Sequence, residues 1–285
     1  MSFTLSRPEE KAKEHEMTTV KELVHSGKLA AAVEELNRQV RSEPANLDLR
    51  VALFELLCFQ GQYDRAQKQL DVIGTQRNDL RLQFGVQFFR NCLEVERKRQ
   101  AFFEGQGLPA FLTEPPQYVE DYLILNRQLT SDPQQVPDLA VTAEASRPEI
   151  SGQLNGEKFA SFRDSDDRLA GVLEVYDGAE YLWLPTEQIR SVQVSKPEKL
   201  RDLLWISAEI QVVDESPRPC FLPVLYPGTA KATDEELRLG RRTDWAILHD
   251  QLVIGTGQKV FLVDDQEVSL LELGRIEFQS VGVQV

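Results

Sequence analysis

A ten-residue pattern occurs twice in this chain, and it narrows the choice of fold more than any other feature. "GKLAAAVEEL" at 27–36 aligns without a gap on "GQYDRAQKQL" at 61–70. Gly27 falls on Gly61, Leu29 on Tyr63, Ala32 on Ala66 and Leu36 on Leu70, an offset of 34 residues. That is the period of a tetratricopeptide unit: two antiparallel helices, a small residue at the tight turn, and an Ala where the helices cross closely. Leu29, Val33, Leu36 and Val40 make one apolar stripe at helical spacing, which Pro44 ends. Leu49, Leu53, Leu56 and Leu57 carry the pattern to Gly61, and Tyr63, Ala66, Leu70 and Ile73 make the next helix. Residues 81–94 fit a third unit's first helix. Val95 stands where the glycines recur, so this helix runs on instead of turning. The competing description is two amphipathic hairpins without a repeat.

A stack of this kind leaves a groove lined by the first helix of each unit, and such grooves take a peptide or a helix. Repeat register places Lys21, Val24, His25, Val51, Glu55, Cys58, Phe59, Phe89 and Cys92 along it. Core packing competes with partner binding at every one of these positions. Phe59 and Phe89 are the expected apolar anchors if exposed, and Glu55 is expected to meet basic flanks of a captured amphipathic helix.

Residues 1–16 are rich in charge and nearly devoid of large apolar groups, which predicts a loose tail. Met17 opens the periodic region and is itself a candidate start. The helical array then spans 17–131. Pro133, Pro137 and Pro148 mark 132–152 as a linker that breaks any helix.

From 153 to 285 the period changes to that of strands. Asn155-Gly156 and Asp177-Gly178 signal hairpins. Ile206, Ala208, Ile210 and Val212 alternate with polar residues, as in a half-buried strand, and "KVFLVDDQEVSLL" reads as a further hairpin. Two short helices are expected, capped by Ser195/Glu198 and by Thr233/Glu236. The fold class is therefore α+β: a tetratricopeptide-like array followed by a small antiparallel, β-rich domain with short helices.

Charge and cysteine content narrow the function. Lys plus Arg number 32 against 46 Asp plus Glu, a net charge of −14, which disfavours nucleic acid and anionic membrane surfaces. Cys58, Cys92 and Cys220 are far apart and form no Cys-x-x-Cys, so neither a zinc site nor a redox pair is indicated. Free thiols, the absence of a secretory leader, and the lack of an apolar run of about 20 residues point to the cytoplasm.

No catalytic arrangement emerges. His15, His25 and His249 are scattered. "RDSDDR" (163–168) lacks the Gly and Glu of a calcium loop and reads as a solvated turn. "GTGQK" (255–259) lacks a full phosphate-loop pattern and reads as a turn into a strand. No metal, cofactor or enzymatic activity is expected. In "LRLGRRTDW", Trp245 is expected in the core with Arg241 or Arg242 paired to Asp244. A partner site is the alternative.

The motifs "LDLRVALFELLCFQGQYDRAQKQLDVIG" (47–74), "LPTEQIRSVQV" (184–194), "LRDLLWISAEI" (200–210), "FLPVLYPGT" (221–229) and "LRLGRRTDW" (237–245) together resemble the ImpE/SciE family, also called TagJ. The resemblance covers about residues 20–280. It implies a non-enzymatic accessory protein of a bacterial type VI secretion system. The implied partner is the small subunit of the contractile sheath, bound through a helix near its N-terminus, with a link to the ATPase that disassembles the sheath. The alternative is a regulatory or effector-handling protein that binds partners through its C-terminal domain, with the repeats as support.

Overall fold

The computed structural model describes residues 19–76, 79–131, 136–213, 215–249 and 251–279. The expected tail at 1–16, Met17 and Pro133 lie outside these residues.

Helices come first: α1 (19–25), α2 (Leu29–Ser42), α3 (Leu47–Phe59), α4 (Tyr63–Gln76), α5 (Leu80–Phe103), α6 (Gln117–Ser131) and α7 (Val136–Ser146). The first four form the two repeated hairpins. Gly27 and Gly61 take positive φ, +73° and +67°, in the turns after α1 and α3, a region that disfavours a side chain. Ala32 and Ala66 are fully buried where the helices cross. Asn46 and Asp79 cap α3 and α5, each side chain accepting two backbone N–H groups of the first turn. Helix α5 continues unbroken through Val95 for 24 residues.

The linker reading needs correction, because α7 forms inside 132–152 and packs along α6. Pro137 is the second residue of α7. In the first turn a missing N–H leaves no helical bond unmade, so this proline starts a helix rather than breaking one. Pro148 follows the end of α7 at Ser146.

The strands are β1 (Gly152–Leu154), β2 (Glu157–Phe159), β3 (Phe162–Asp164), β4 (Val172–Asp177), β5 (Glu180–Pro185), β6 (Ile189–Val194), β7 (Trp205–Val212), β8 (Arg218–Pro223), β9 (Thr243–Leu248), β10 (Leu252–Gly257), β11 (Val260–Val263), β12 (Gln266–Ser269) and β13 (Arg275–Phe278). One four-residue helix, α8 (Glu235–Arg238), precedes β9. An eight-stranded sheet runs β2-β1-β13-β6-β7-β8-β4-β5, with β10-β9 and β12-β11-β3 as smaller sheets. The strand pairings are antiparallel. Strand β7 alternates as expected, with Ile206, Ala208, Ile210 and Val212 buried.

Turn chemistry departs from expectation in detail. Asn155-Gly156 joins β1 to β2, as expected. Between β4 and β5 the register pairs Asp177 with Glu180, so the turn residues are Gly178-Ala179, one position later than expected. Ser195/Glu198 does not form a cap: the Asp202 carboxylate accepts from the Glu198 and Lys199 N–H groups, and only a single 3-10 turn forms at Leu200–Leu203. Asp234, rather than Thr233, caps α8 by accepting from the Glu236 N–H at 2.8 Å.

Strands β4 and β5 are buried on both faces because α5 lies across this part of the sheet. Phe102 packs edge-on to Trp183 at 5.0 Å, and Phe88 meets Phe221 at 4.5 Å. One hydrophobic core includes residues from Val20 to Phe278, through both halves of the chain.

Candidate functional site

The β-rich half fills most of the groove that repeat register predicts. Cys58, Phe59 and Cys92 are buried, with Phe59 0% exposed. Phe89 is half-buried. Its ring packs against Phe54 (5.4 Å), Phe88 (4.9 Å) and Trp205 (6.4 Å), and the Arg201 guanidinium lies 5.0 Å from its centroid. Glu55 is buried and accepts from Arg201 Nη1 at 2.8 Å. Burial pushes its carboxyl up against the pull of Arg201. The expectation of exposed anchors at Phe59 and Phe89, and of Glu55 free for a basic partner, is therefore corrected: Phe59 is buried, and residues of the β-rich half hold Phe89 and Glu55. Val51 is half-buried against the same core.

Among the described residues, the N-terminal end of the groove stays open. A hollow of about 380 Å³ is floored by Val20, Val24, Leu36, Ala52, Leu56 and Leu200, and rimmed by Lys21, His25, Glu55 and Arg241. Of the groove residues named from the sequence, Lys21, Val24, His25 and Glu55 thus converge on one site. Lys21 and His25 are exposed.

The "LRLGRRTDW" motif contributes to this end of the molecule in a way its spacing does not reveal. Arg241 donates from Nη1 to the His25 carbonyl at 2.8 Å and from Nη2 to the Val24 carbonyl, capping the last turn of α1 with a cation. Its Nη1 also meets Glu236 at 3.0 Å. Arg242 pairs with Asp234, not with Asp244. Asp244 instead accepts from the Trp245 N–H at 3.1 Å. Trp245 is half-buried, 5.7 Å from Tyr226, rather than in the core. The reason is that β9 pairs with β10 alone and stands at a sheet edge. Its neighbours Ile247 and Leu248 are exposed.

The repeat glycines are tied to the same contacts. A Cβ on Gly27 would lie 1.7 Å from Glu236 Oε1, and one on Gly61 would lie 2.9 Å from the Ala230 Cβ. Glu235 accepts from the Ala30 N–H at 3.0 Å, capping α2, which has no side-chain cap of its own.

Sequence reasoning missed a buried charge cluster between the halves. Arg99 pairs with Glu174 at 2.7 Å, and Lys259 reaches both Glu174 (2.9 Å) and Asp164 (3.0 Å). Arg168 pairs with Asp166 at 2.6 Å. Tyr181 donates to Glu174 at 2.5 Å, and Tyr226 to Asp164 at 2.8 Å. "RDSDDR" is thus not a solvated turn: Asp164, Asp166 and Arg168 are buried. In "GTGQK", Gly255 and Gly257 belong to β10 and only Gln258-Lys259 lead into β11, with Lys259 buried. The one available signal is Glu174, an isolated carboxylate inside the apolar run "VLEVY". Burial raises the Glu174 carboxyl, but Arg99 and Lys259 outweigh it and hold the group far below its ordinary range.

The cysteines are free and buried, and burial pushes the Cys220 thiol up to about 12. Among the described residues no group of three or more His, Cys, Asp or Glu side chains is placed to hold a metal ion, and no helix is long and apolar enough to cross a membrane.

Comparison with known proteins bears on both halves. Residues 156–277 match the family described as ImpE protein, and residues 23–83 match the tetratricopeptide repeat. The chain is 34% identical over 259 residues to the type VI secretion system accessory component TagJ of Pseudomonas aeruginosa, covering 90% of each. The fold recurs in an X-ray structure of a Vibrio parahaemolyticus protein, with a TM-score of 0.84 and 24% identity, covering 92% of this chain and 97% of that one.

Proposed function

This chain belongs to the ImpE family, and we propose that it is a non-enzymatic, cytoplasmic accessory component of a type VI secretion system. In this reading it captures an amphipathic helix of the small sheath subunit and links the sheath to its assembly or to the disassembly ATPase. The accessory role follows from the Pseudomonas aeruginosa relative. The observation that carries the capture reading is the hollow of about 380 Å³ beside α1, whose floor is apolar and which the β-rich half borders through Leu200 and Arg241 without filling. A helix presenting apolar side chains at i, i+3 and i+4 suits such a floor. Lys21 and His25 on the rim favour acidic flanks on that helix, the reverse of the basic flanks expected when Glu55 was read as free.

The test is titration of a labelled peptide from the N-terminal helix of the small sheath subunit into the full-length chain. Val24→Asp places a charge on the floor and is expected to weaken binding about tenfold or more, as loss of a central apolar contact does. Lys21→Glu is expected to weaken it less, and to lose its effect in high salt. Binding that ignores both variants would sink the reading.

The second reading, partner binding through the C-terminal half, draws on Ile247, 66% exposed on the free edge of β9. Ile247→Ser would abolish binding if that reading holds and leave it intact if the hollow is the site.

A further inference from the structure

A second cavity, of about 250 Å³, opens where the turn between α3 and α4 meets the segment after β8. It shares no residue with the hollow beside α1. Two arginines form part of its wall: Arg99 from α5 and Arg168 from the turn between β3 and β4, both more than nine-tenths buried. Arg99 donates from Nε and Nη2 to Glu174, and from Nη2 to the Leu225 carbonyl at 2.9 Å. Its Nη1 has no hydrogen bond among the described residues; Glu96 lies 3.8 Å away, too far for one. Arg168 donates from Nε and Nη2 to Asp166, leaving its own Nη1 without a hydrogen bond among the described residues. Its guanidinium rests on the Phe103 ring at 5.1 Å.

The carboxylates that hold these arginines, Glu174 and Asp166, are not part of the cavity wall. Lys231, exposed at the mouth, adds a third cation. Two carboxylates face them. Glu104 is engaged by Lys231 at 2.7 Å, and Glu96 accepts from Tyr176 at 2.6 Å and Trp205 at 3.0 Å. In a chain of net charge −14, this void gathers three cations in one wall. A guanidinium fixed in orientation, with a nitrogen free of protein acceptors in a cavity wall, is suited to pairing with a carboxylate or phosphate.

We propose that this cavity binds a small molecule through a carboxylate or phosphate group, held between Arg99 and Arg168 and attracted by Lys231. The bound molecule touches the α3–α4 turn on one side and the β-rich half on the other, so its occupancy stabilises the contact between them.

The experiment uses the full-length chain. Thermal unfolding and titration calorimetry are run with inorganic phosphate in one arm and succinate in the other, each against chloride at matched ionic strength. The expected result is a saturable rise in Tm with single-site heat in at least one arm, and the responding arm separates phosphate from carboxylate recognition. Lys231→Glu changes an exposed side chain, breaks its pair with Glu104, and is expected to weaken binding about threefold. Arg168→Gln removes one of the two free Nη1 donors and is expected to abolish it; if that variant does not fold, Lys231→Glu decides. The proposal is overturned if neither probe gives a saturable response beyond chloride, if Lys231→Glu binds as tightly as the native chain, or if folded Arg168→Gln still binds.

Discussion

Arg99 and Glu174, 75 positions apart, meet in a two-pronged ion pair, with Nε and Nη2 donating to the two carboxylate oxygens at 2.7 and 2.8 Å. The pair joins the helical array to the sheet with both side chains buried. Removing Arg99 leaves Glu174 buried with one of its two cations gone. Arg99→Ala is expected to cost about 3 kcal/mol, the lower end for a broken buried pair, because Lys259 still touches Glu174. Urea unfolding near neutral pH measures it.

The same pair gives stability a pH dependence. The folded-state pKa of Glu174 lies below its ordinary value of 4.5. Its contribution is therefore present above that value and is lost as pH falls through it toward the folded pKa. Asp164, raised by burial despite Lys259, acts in the opposite sense. The stability difference between the native chain and Glu174→Gln is expected to shrink as pH is lowered below about 4.5. A difference that stays constant across that range would refute the assignment.

Gly27 tests whether the repeat turn and the C-terminal half are physically coupled. Gly27→Ala combines a left-handed backbone with a collision against Glu236. It is expected to cost more than Gly156→Ala, which shares the positive φ but meets nothing within 4 Å and so carries only about 1 kcal/mol of backbone strain. Adding Glu236→Ala should restore part of the loss. Denaturation midpoints of the three variants against the native chain decide it.

Phe59→Ala is expected to behave as a core truncation. With its side chain fully buried, the loss is about 3–5 kcal/mol of stability. A variant that kept its stability and lost only partner binding would mean that the β-rich half leaves the groove when the partner arrives.

Trp245→Ala should cost less, about 1–2 kcal/mol, because the indole is half-buried and makes its ring contact with Tyr226 alone among the described residues. Thermal unfolding of the two truncations side by side ranks them.

The repeat was legible because its chemistry is local. Gly27, Gly61, Ala32 and Ala66 occur where a turn and a close crossing admit only small residues, and such demands repeat with the helices that impose them. The alternation in β7 was legible for the same reason. The groove was not. Phe59 and Phe89 look alike whether their cover is a foreign helix or the chain's own sheet, and nothing within a few residues of either distinguishes the two. Asp164 and Lys259 failed in another way. Charged residues read as surface until a partner is known, and these two find each other across 95 positions. Pro137 misled because a proline's effect depends on whether the helix has already begun.

Arg241 holds the carbonyls of Val24 and His25 across 217 and 216 positions, and that separation sets a timetable during synthesis. The helices leave the ribosome first and form early, since their contacts are short-range. Phe88, Phe89 and Phe102 then wait for Trp205, Phe221 and Trp183 to be translated before they are covered. At ordinary elongation rates the wait is on the order of ten seconds. For that interval the nascent array presents an aromatic inner surface that the finished protein conceals, and a chaperone or an early-arriving partner would meet a different binding face from the one that remains.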